Sequence, residues 1–79
     1  MELEVRLLGS FRQYASNPAG LEHIHLPAPA TARDLLEALP IPPKYHSLVI
    51  VFRNGRRVSL STEVEDGDRI GIMPPMGGG

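Results

Sequence analysis

One stretch governs what this chain can build: PAPATARDLLEALP, from Pro27 to Pro40, a sustained helical pattern fenced by prolines at both ends. Thr31 is a good N-cap, and Asp34 three residues later occupies the position of a capping-box acid. An acid there also suits the positive end of the helix dipole. Ala32, Leu35, Leu36 and Leu39 follow the i, i+3, i+4, i+7 spacing of one buried stripe. Pro40 stops the helix, and Pro42-Pro43 keep the chain out of it afterwards. Such a helix is only about two turns long, and helices this short do not hold together alone in water. It has to lean on a sheet, which the rest of the chain must supply.

The flanking segments have the right pattern. Glu2 to Leu8 alternates, with Leu3, Val5 and Leu7 on one face and Glu2, Glu4 and Arg6 on the other, as a half-buried strand does. Gly9-Ser10 breaks it, and Phe11 to Ala15 fits a short helical turn capped by Ser10. A loop at Asn17-Pro18-Ala19-Gly20 leads to a second strand, Leu21 to Leu26, with Ile24 and Leu26 opposite His23 and His25. The connection permits antiparallel pairing with the first strand. After the helix, Ser47 to Arg53 reads as a third strand that is apolar on both faces across Leu48 to Phe52. Asn54-Gly55 signals a type I′ hairpin into Arg57 to Leu60. Asp66-Gly67-Asp68 marks another tight turn before the last strand, Arg69 to Met73, with Ile70 and Ile72 facing the core. Pro74 then removes the next ladder donor. Strand, strand, helix, then three strands, with a crossover through the helix, describe an α+β roll: a mixed sheet of about five strands packed by one short helix, the β-grasp.

With 79 residues the chain is expected to form one domain over 1–79, including a flexible tail over 74–79. An apolar share of 42% suits a folded core, and a formal net charge of −1 advertises neither a nucleic-acid nor a membrane partner. Arg53, Arg56 and Arg57 cluster on a turn, where a solvated tip is the expected reading. The chain has no cysteine, which removes disulfides, thiolate zinc sites, iron–sulfur clusters and cysteine nucleophiles. The amino terminus lacks a signal-peptide core, and the longest apolar run is far short of a membrane span. A cytoplasmic location is expected.

Catalytic motifs are not legible. His23 and His25 share a strand face, but no further ligands accompany them, so two exposed polar residues are expected there and no metal. The serines lie in no recognisable hydrolase setting. Glu63, Glu65, Asp66 and Asp68 crowd one loop without the offsets of a calcium site, and a turn built around Gly67 accounts for them. No bound cofactor is expected.

The end of the chain, MPPMGGG from Met73 to Gly79, differs from all of this. Three terminal glycines have chance odds of about 0.0003 at average usage, which makes an accidental run an unattractive explanation. Pro74 and Pro75 favour an extended stand-off, while Gly77, Gly78 and Gly79 present no Cβ. A tail of that kind suits a narrow channel and can place its terminal carboxylate beside a nucleotide. Activation by ATP as an acyl-adenylate, followed by attack of a nucleophile, is the matching chemistry.

In order along the chain, VRLLGSFRQYA, ARDLLEAL, VIVFRNGRRV and VEDGDRIGIMPPMGGG resemble the first strand and turn, the helix, the central hairpin and the C-terminal end of the ThiS/MoaD family of ubiquitin-like sulfur carrier proteins. The resemblance covers nearly the whole chain. It implies a carrier and co-substrate, not an enzyme. The Gly79 carboxylate, with Gly78 before it, would be adenylated by an ATP-dependent partner of the ubiquitin-activating type. It would then become a thiocarboxylate and pass its sulfur through a sulfur-accepting synthase subunit. Pro74-Pro75 leans towards molybdopterin as the acceptor, with the thiamine thiazole next. Gly77 stands where the family usually has a bulkier residue. A plain β-grasp interaction module and a ubiquitin-like protein modifier, joined through Gly79 to a lysine, are the alternatives, since one fold hosts many functions.

Two further expectations concern surfaces. Glu2 to Met73 should be ordered, with Gly77 to Gly79 mobile in the free protein. The outer sheet face, assigned to Val49 and Val51 with Leu8 and Met73 beside them, should dock the activating enzyme. Met73, Met76 and the Pro74 to Gly77 segment would complete that partner contact.

Overall fold

A parallel pair lies at the centre of the structure, a computed structural model that describes residues 1–75. The strands β1 (Glu2–Leu7) and β7 (Arg69–Met73) run side by side, with Val5 opposite Ile70 and Leu7 opposite Ile72. On one side β1 pairs antiparallel with β2 (Leu21–His25). On the other, β7 pairs antiparallel with β4 (Ile50–Arg53), and β4 with β5 (Arg56–Val58). The order β2-β1-β7-β4-β5 is that of a five-stranded mixed sheet, as the strand and helix sequence requires. A second, two-stranded sheet of β3 (Ala30–Thr31) and β6 (Glu63–Val64) was not foreseen. Two-residue strands carry no periodicity to read.

The helix α1 (Ala32–Glu37) is six residues long. Its stability rests on how completely its N-terminus is satisfied, because the first N–H groups of a helix lack partners of their own. The Thr31 N–H donates to Asp34 Oδ2 at 2.8 Å, and the Asp34 N–H donates back to Thr31 Oγ1 at 3.3 Å, closing the expected capping box. The two N–H groups between them go elsewhere: Ala32 to the Thr62 carbonyl at 2.9 Å and Arg33 to the Leu60 carbonyl at 3.0 Å. The loop around β6 is thus a second cap. Ala32, Leu35, Leu36 and Leu39 are all buried, as their spacing predicts.

Those side chains meet the inner sheet face, formed by Leu3, Val5, Leu7, Val51, Ile70 and Ile72, each no more than 2% exposed. Phe11, Ile41, Ala30 and Val64 close the core. Phe11 comes from a 3-10 segment, Gly9–Tyr14, where a helical turn was expected. Ser10 does not cap it. The cap position is Leu8, without a side-chain hydrogen bond, because Leu8 is still in the sheet, donating its N–H to the Ile72 carbonyl at 2.9 Å.

The third strand begins later than its apolar run suggests. A second 3-10 turn, Pro43–Tyr45, carries the chain to His46, and ladder pairing starts only at Ile50. Asn54 and Gly55 then adopt φ of 51° and 86°, the left-handed pair that a type I′ turn demands, and Arg53 sits opposite Arg56.

Candidate functional site

The outer face of the sheet follows from the same registers. Phe52 lies opposite Gly71, Gly71 opposite Arg6, and Ile50 opposite Met73. With Leu8 at the end of β1, the half-buried residues Leu8, Ile50, Phe52 and Met73 form an apolar strip across three strands. Gly71 is its bare floor: a Cβ there would stand 3.4 Å from Leu8 Cδ1 and 3.7 Å from Phe52 Cβ. At the Leu8 and Phe52 end of the strip lies a shallow depression of about 400 Å³, lined also by Gly71, Gly55, Glu4, Arg6 and Arg69. A contiguous apolar strip with a charged rim is the ordinary form of a protein-docking surface.

This corrects the residues expected on the outer face. Val51 is 2% exposed and faces the core, opposite Ile72, so it cannot contact a partner. Val49 precedes the strand and is half-buried against the core cluster. The outward residues are their neighbours Ile50 and Phe52. In a strand a shift of one residue exchanges the two faces, and an all-apolar run offers no polar residue to fix the phase. Leu8 and Met73 were assigned to the correct face.

At the turn end of the same strands lies a charged centre that the sequence did not reveal. Asp68 is 6% exposed, although it belongs to an acidic loop. Its Oδ2 accepts from Arg53 Nε at 2.6 Å and from the Glu65 N–H at 2.7 Å, and its Oδ1 accepts from Asn54 Nδ2 at 3.0 Å. Asn54 in turn accepts from the Arg69 N–H at 2.9 Å. One carboxylate therefore fixes the β4–β5 turn to the β6–β7 turn. Desolvation pushes its pKa up, but the hydrogen bonds from Arg53, the Glu65 amide and Asn54, with the Arg53 charge, outweigh it and hold the carboxyl below its ordinary value. The Asp68 hydrogen bond and charge raise the Arg53 pKa in return, opposed by desolvation. The arginine cluster is accordingly split: Arg53 is structural, while Arg56 and Arg57 are exposed. Only the recurrence of Asn and Asp in the two turns hinted at this.

His23 and His25 lie on the exposed outer side of β2, with His25 Nδ1 2.6 Å from Glu2 Oε1. Among the described residues no three His, Cys, Asp or Glu side chains are grouped to hold a metal ion. Nor, among them, is any helix long and apolar enough to cross a membrane.

The chain leaves the sheet at Met73, beside the apolar strip. Pro74 and Pro75 follow and are half-buried against the Gly9–Tyr14 segment, so the first two residues of the tail belong to the folded body. Met76, Gly77, Gly78 and Gly79, and with them the carboxylate expected to react and the expected mobility, lie outside the described residues.

The ThiS family model matches residues 5–79, through the terminal glycines. Among solved structures, a putative molybdopterin converting factor subunit 1 from Pyrococcus furiosus is 32% identical, with 95% of this chain and 98% of that one covered and a TM-score of 0.74. SAMP1 from Haloferax volcanii is 22% identical over the full length of both chains, with a TM-score of 0.79. A protein–protein complex of subunits 1 and 2 of the molybdopterin-converting factor from Helicobacter pylori 26695 contains a chain 23% identical over the full length of both, with a TM-score of 0.65. The last two share the fold. No curated protein sequence matches the chain.

Proposed function

This chain belongs to the ThiS family, ubiquitin-like β-grasp proteins that serve as small carriers or modifiers, and on that premise we propose that it is a sulfur carrier working through the carboxylate of Gly79. The observation that carries the reading is the family match running to Gly79 itself, across Gly78 and the two prolines. A carboxylate oxygen attacks the α-phosphorus of ATP and pyrophosphate leaves, giving an acyl-adenylate. A hydrosulfide-level sulfur nucleophile then attacks the acyl carbon, the bond to AMP breaks, and the product is a thiocarboxylate. The absence of a side chain at the acyl carbon leaves that attack uncrowded.

The catalytic groups belong to partners, a ubiquitin-activating-type adenylating enzyme and a sulfur-accepting synthase. What this chain supplies is a docking face and a reaching tail. The strip of Leu8, Ile50, Phe52 and Met73 adjoins the tail exit, so one partner can hold the body while receiving the carboxylate. The 32% identity to a putative molybdopterin converting factor subunit favours molybdopterin as the sulfur acceptor over the thiamine thiazole.

The test uses the full chain with ATP, magnesium and an adenylating enzyme of this type from the same organism. Exchange of labelled pyrophosphate into ATP should depend on the chain, and added sulfide should replace one oxygen by sulfur in its intact mass. Deleting Gly79 withdraws the carboxylate by about 3.5 Å and should abolish exchange, since misplacement on the order of 1 Å already costs about 100-fold. Normal exchange by the deletion variant sinks the carrier reading. An amide to lysine in place of a thiocarboxylate would make the chain a modifier.

A further inference from the structure

The last rung between β1 and β7 is the Leu8 N–H on the Ile72 carbonyl, at 2.9 Å. At the next position the two strands part in an unusual way. Gly9 takes φ of +55°, a left-handed conformation that side chains resist, and turns the chain into its 3-10 segment. Its bare Cα faces Pro74: a Cβ on Gly9 would lie 3.3 Å from Pro74 Cγ and 3.5 Å from Pro74 Cδ. Glycine is thus favoured there twice, by the backbone and by the proline ring, which would have to yield by a few tenths of an ångström to a Cβ.

Pro74 and Pro75 continue along a small recess of about 40 Å³, shared with Ser10, Phe11, Tyr14 and Tyr45. The rings of its aromatic wall pack on one another. Phe11 is buried, and the Tyr14 and Tyr45 rings are tilted against it with centroids 5.9 and 5.5 Å away. Lys44 Nζ stands 5.1 Å from the Tyr45 ring centroid, a cation–π contact that helps to fix that ring. Aromatic rings and two prolines bordering one recess resemble the arrangement by which proline-rich segments are bound in trans, using a backbone that has little freedom to lose. Here both halves belong to one chain.

We propose that Gly9, Tyr14 and Tyr45 are positioning residues: they form an internal seat for Pro74-Pro75 that sets where, and in which direction, the reactive tail departs. The proposal rests on the sulfur-carrier reading. From Pro75 the four residues to Gly79 span at most about 14 Å, so an error in departure angle is carried to the carboxylate with little chain to absorb it. A fixed seat reduces the orientations sampled before reaction, and that gain is realised in the chemical step. The docking strip lies on the sheet, whereas the seat lies beyond its end.

Two measurements test this. In the free protein, nuclear Overhauser contacts should join the Tyr14 or Tyr45 ring protons to the ring protons of Pro74 and Pro75; their absence overturns the seat whatever the chain's function. In pyrophosphate exchange, Tyr45→Ser should lower kcat about tenfold while KM for the carrier stays unchanged, and Tyr45→Phe should restore the rate. Pro75→Gly, which leaves the aromatic core intact, should show the same split and covers the case in which Tyr45→Ser does not fold. Normal kcat for Pro75→Gly, with an active wild type, overturns the seat and spares the carrier reading. An inactive wild type sinks the carrier reading, and the Overhauser contacts then decide the seat alone.

Discussion

The two faces of the five-stranded sheet are made from the same strands and answer to different masters. Inward, Leu3, Val5, Leu7, Val51, Ile70 and Ile72 are sealed beneath a six-residue helix. Outward, Leu8, Ile50, Phe52 and Met73 are equally apolar yet only half-buried, with a glycine where another side chain would have stood. Hydrophobicity alone therefore does not say which face is core. What separates them is closure: the inner face has the helix, and the outer face has a depression with arginines at its edge. The difference teaches that one side of this sheet holds the molecule together and the other is available to hold something else.

The sharpest way to break that contrast is on β4, where adjacent residues serve opposite faces. Val51→Asp puts an unpaired carboxylate into the core, at a cost of more than about 4 kcal/mol. A domain of this length has only about 4–12 kcal/mol of stability in all. The variant should show no cooperative urea transition, or one shifted drastically; near-native unfolding would mean that Val51 is not in the core.

A smaller effect is expected at Asp68, which ties the turns at one end of both faces. Asp68→Asn keeps the shape but loses acceptors for Arg53 and the Glu65 amide, a loss of about 2 kcal/mol. Because the folded carboxyl titrates below its ordinary value, the unfolded chain binds that proton more readily. The stability it contributes is complete above the unfolded carboxylate range, near pH 4, and is lost as pH falls through the folded value. Chemical denaturation at a series of acidic pH values should show a steeper decline for the wild type than for Asp68→Asn. Parallel curves would remove Asp68 from the account.

The smallest change in stability should come from the outer face. Gly71→Ala adds one methyl group in ordinary contact with Phe52 and tight contact with Leu8, and should alter stability by about 0.5 kcal/mol or less. It fills the floor of the depression, however, and should weaken docking to the adenylating enzyme about tenfold by titration calorimetry. Unchanged affinity would move the docking site off this face.

Residues with a marked local chemistry were legible from sequence. Thr31 and Asp34 form the capping box that their spacing announces, and Asn54-Gly55 forms the turn that only φ above zero allows. The alternation in β1 and β7 placed Leu3, Val5, Leu7, Ile70 and Ile72 correctly because charged or small residues separate them. The run from Leu48 to Phe52 lacked such punctuation, and its phase was set by β7 from a distance of about 20 residues in sequence. The same holds for Asp68 and Gly9: one owes its burial to Arg53 and the other has Pro74 packed against its bare Cα, and neither partner is local. Family resemblance reached the tail, but no local rule could say which face stands beside it.

The central pair also has a mechanical meaning. Because β1 and β7 are parallel neighbours, a pull on Met73 along its strand, resisted at Glu2, runs along the ladder rather than across it. The rungs from Glu4–Arg69 to Leu7–Ile72 are then strained together in shear and share the load, where an antiparallel hairpin pulled from its open end would surrender them singly. The strand that leads into the C-terminal tail is anchored in the direction in which a sheet is hardest to tear.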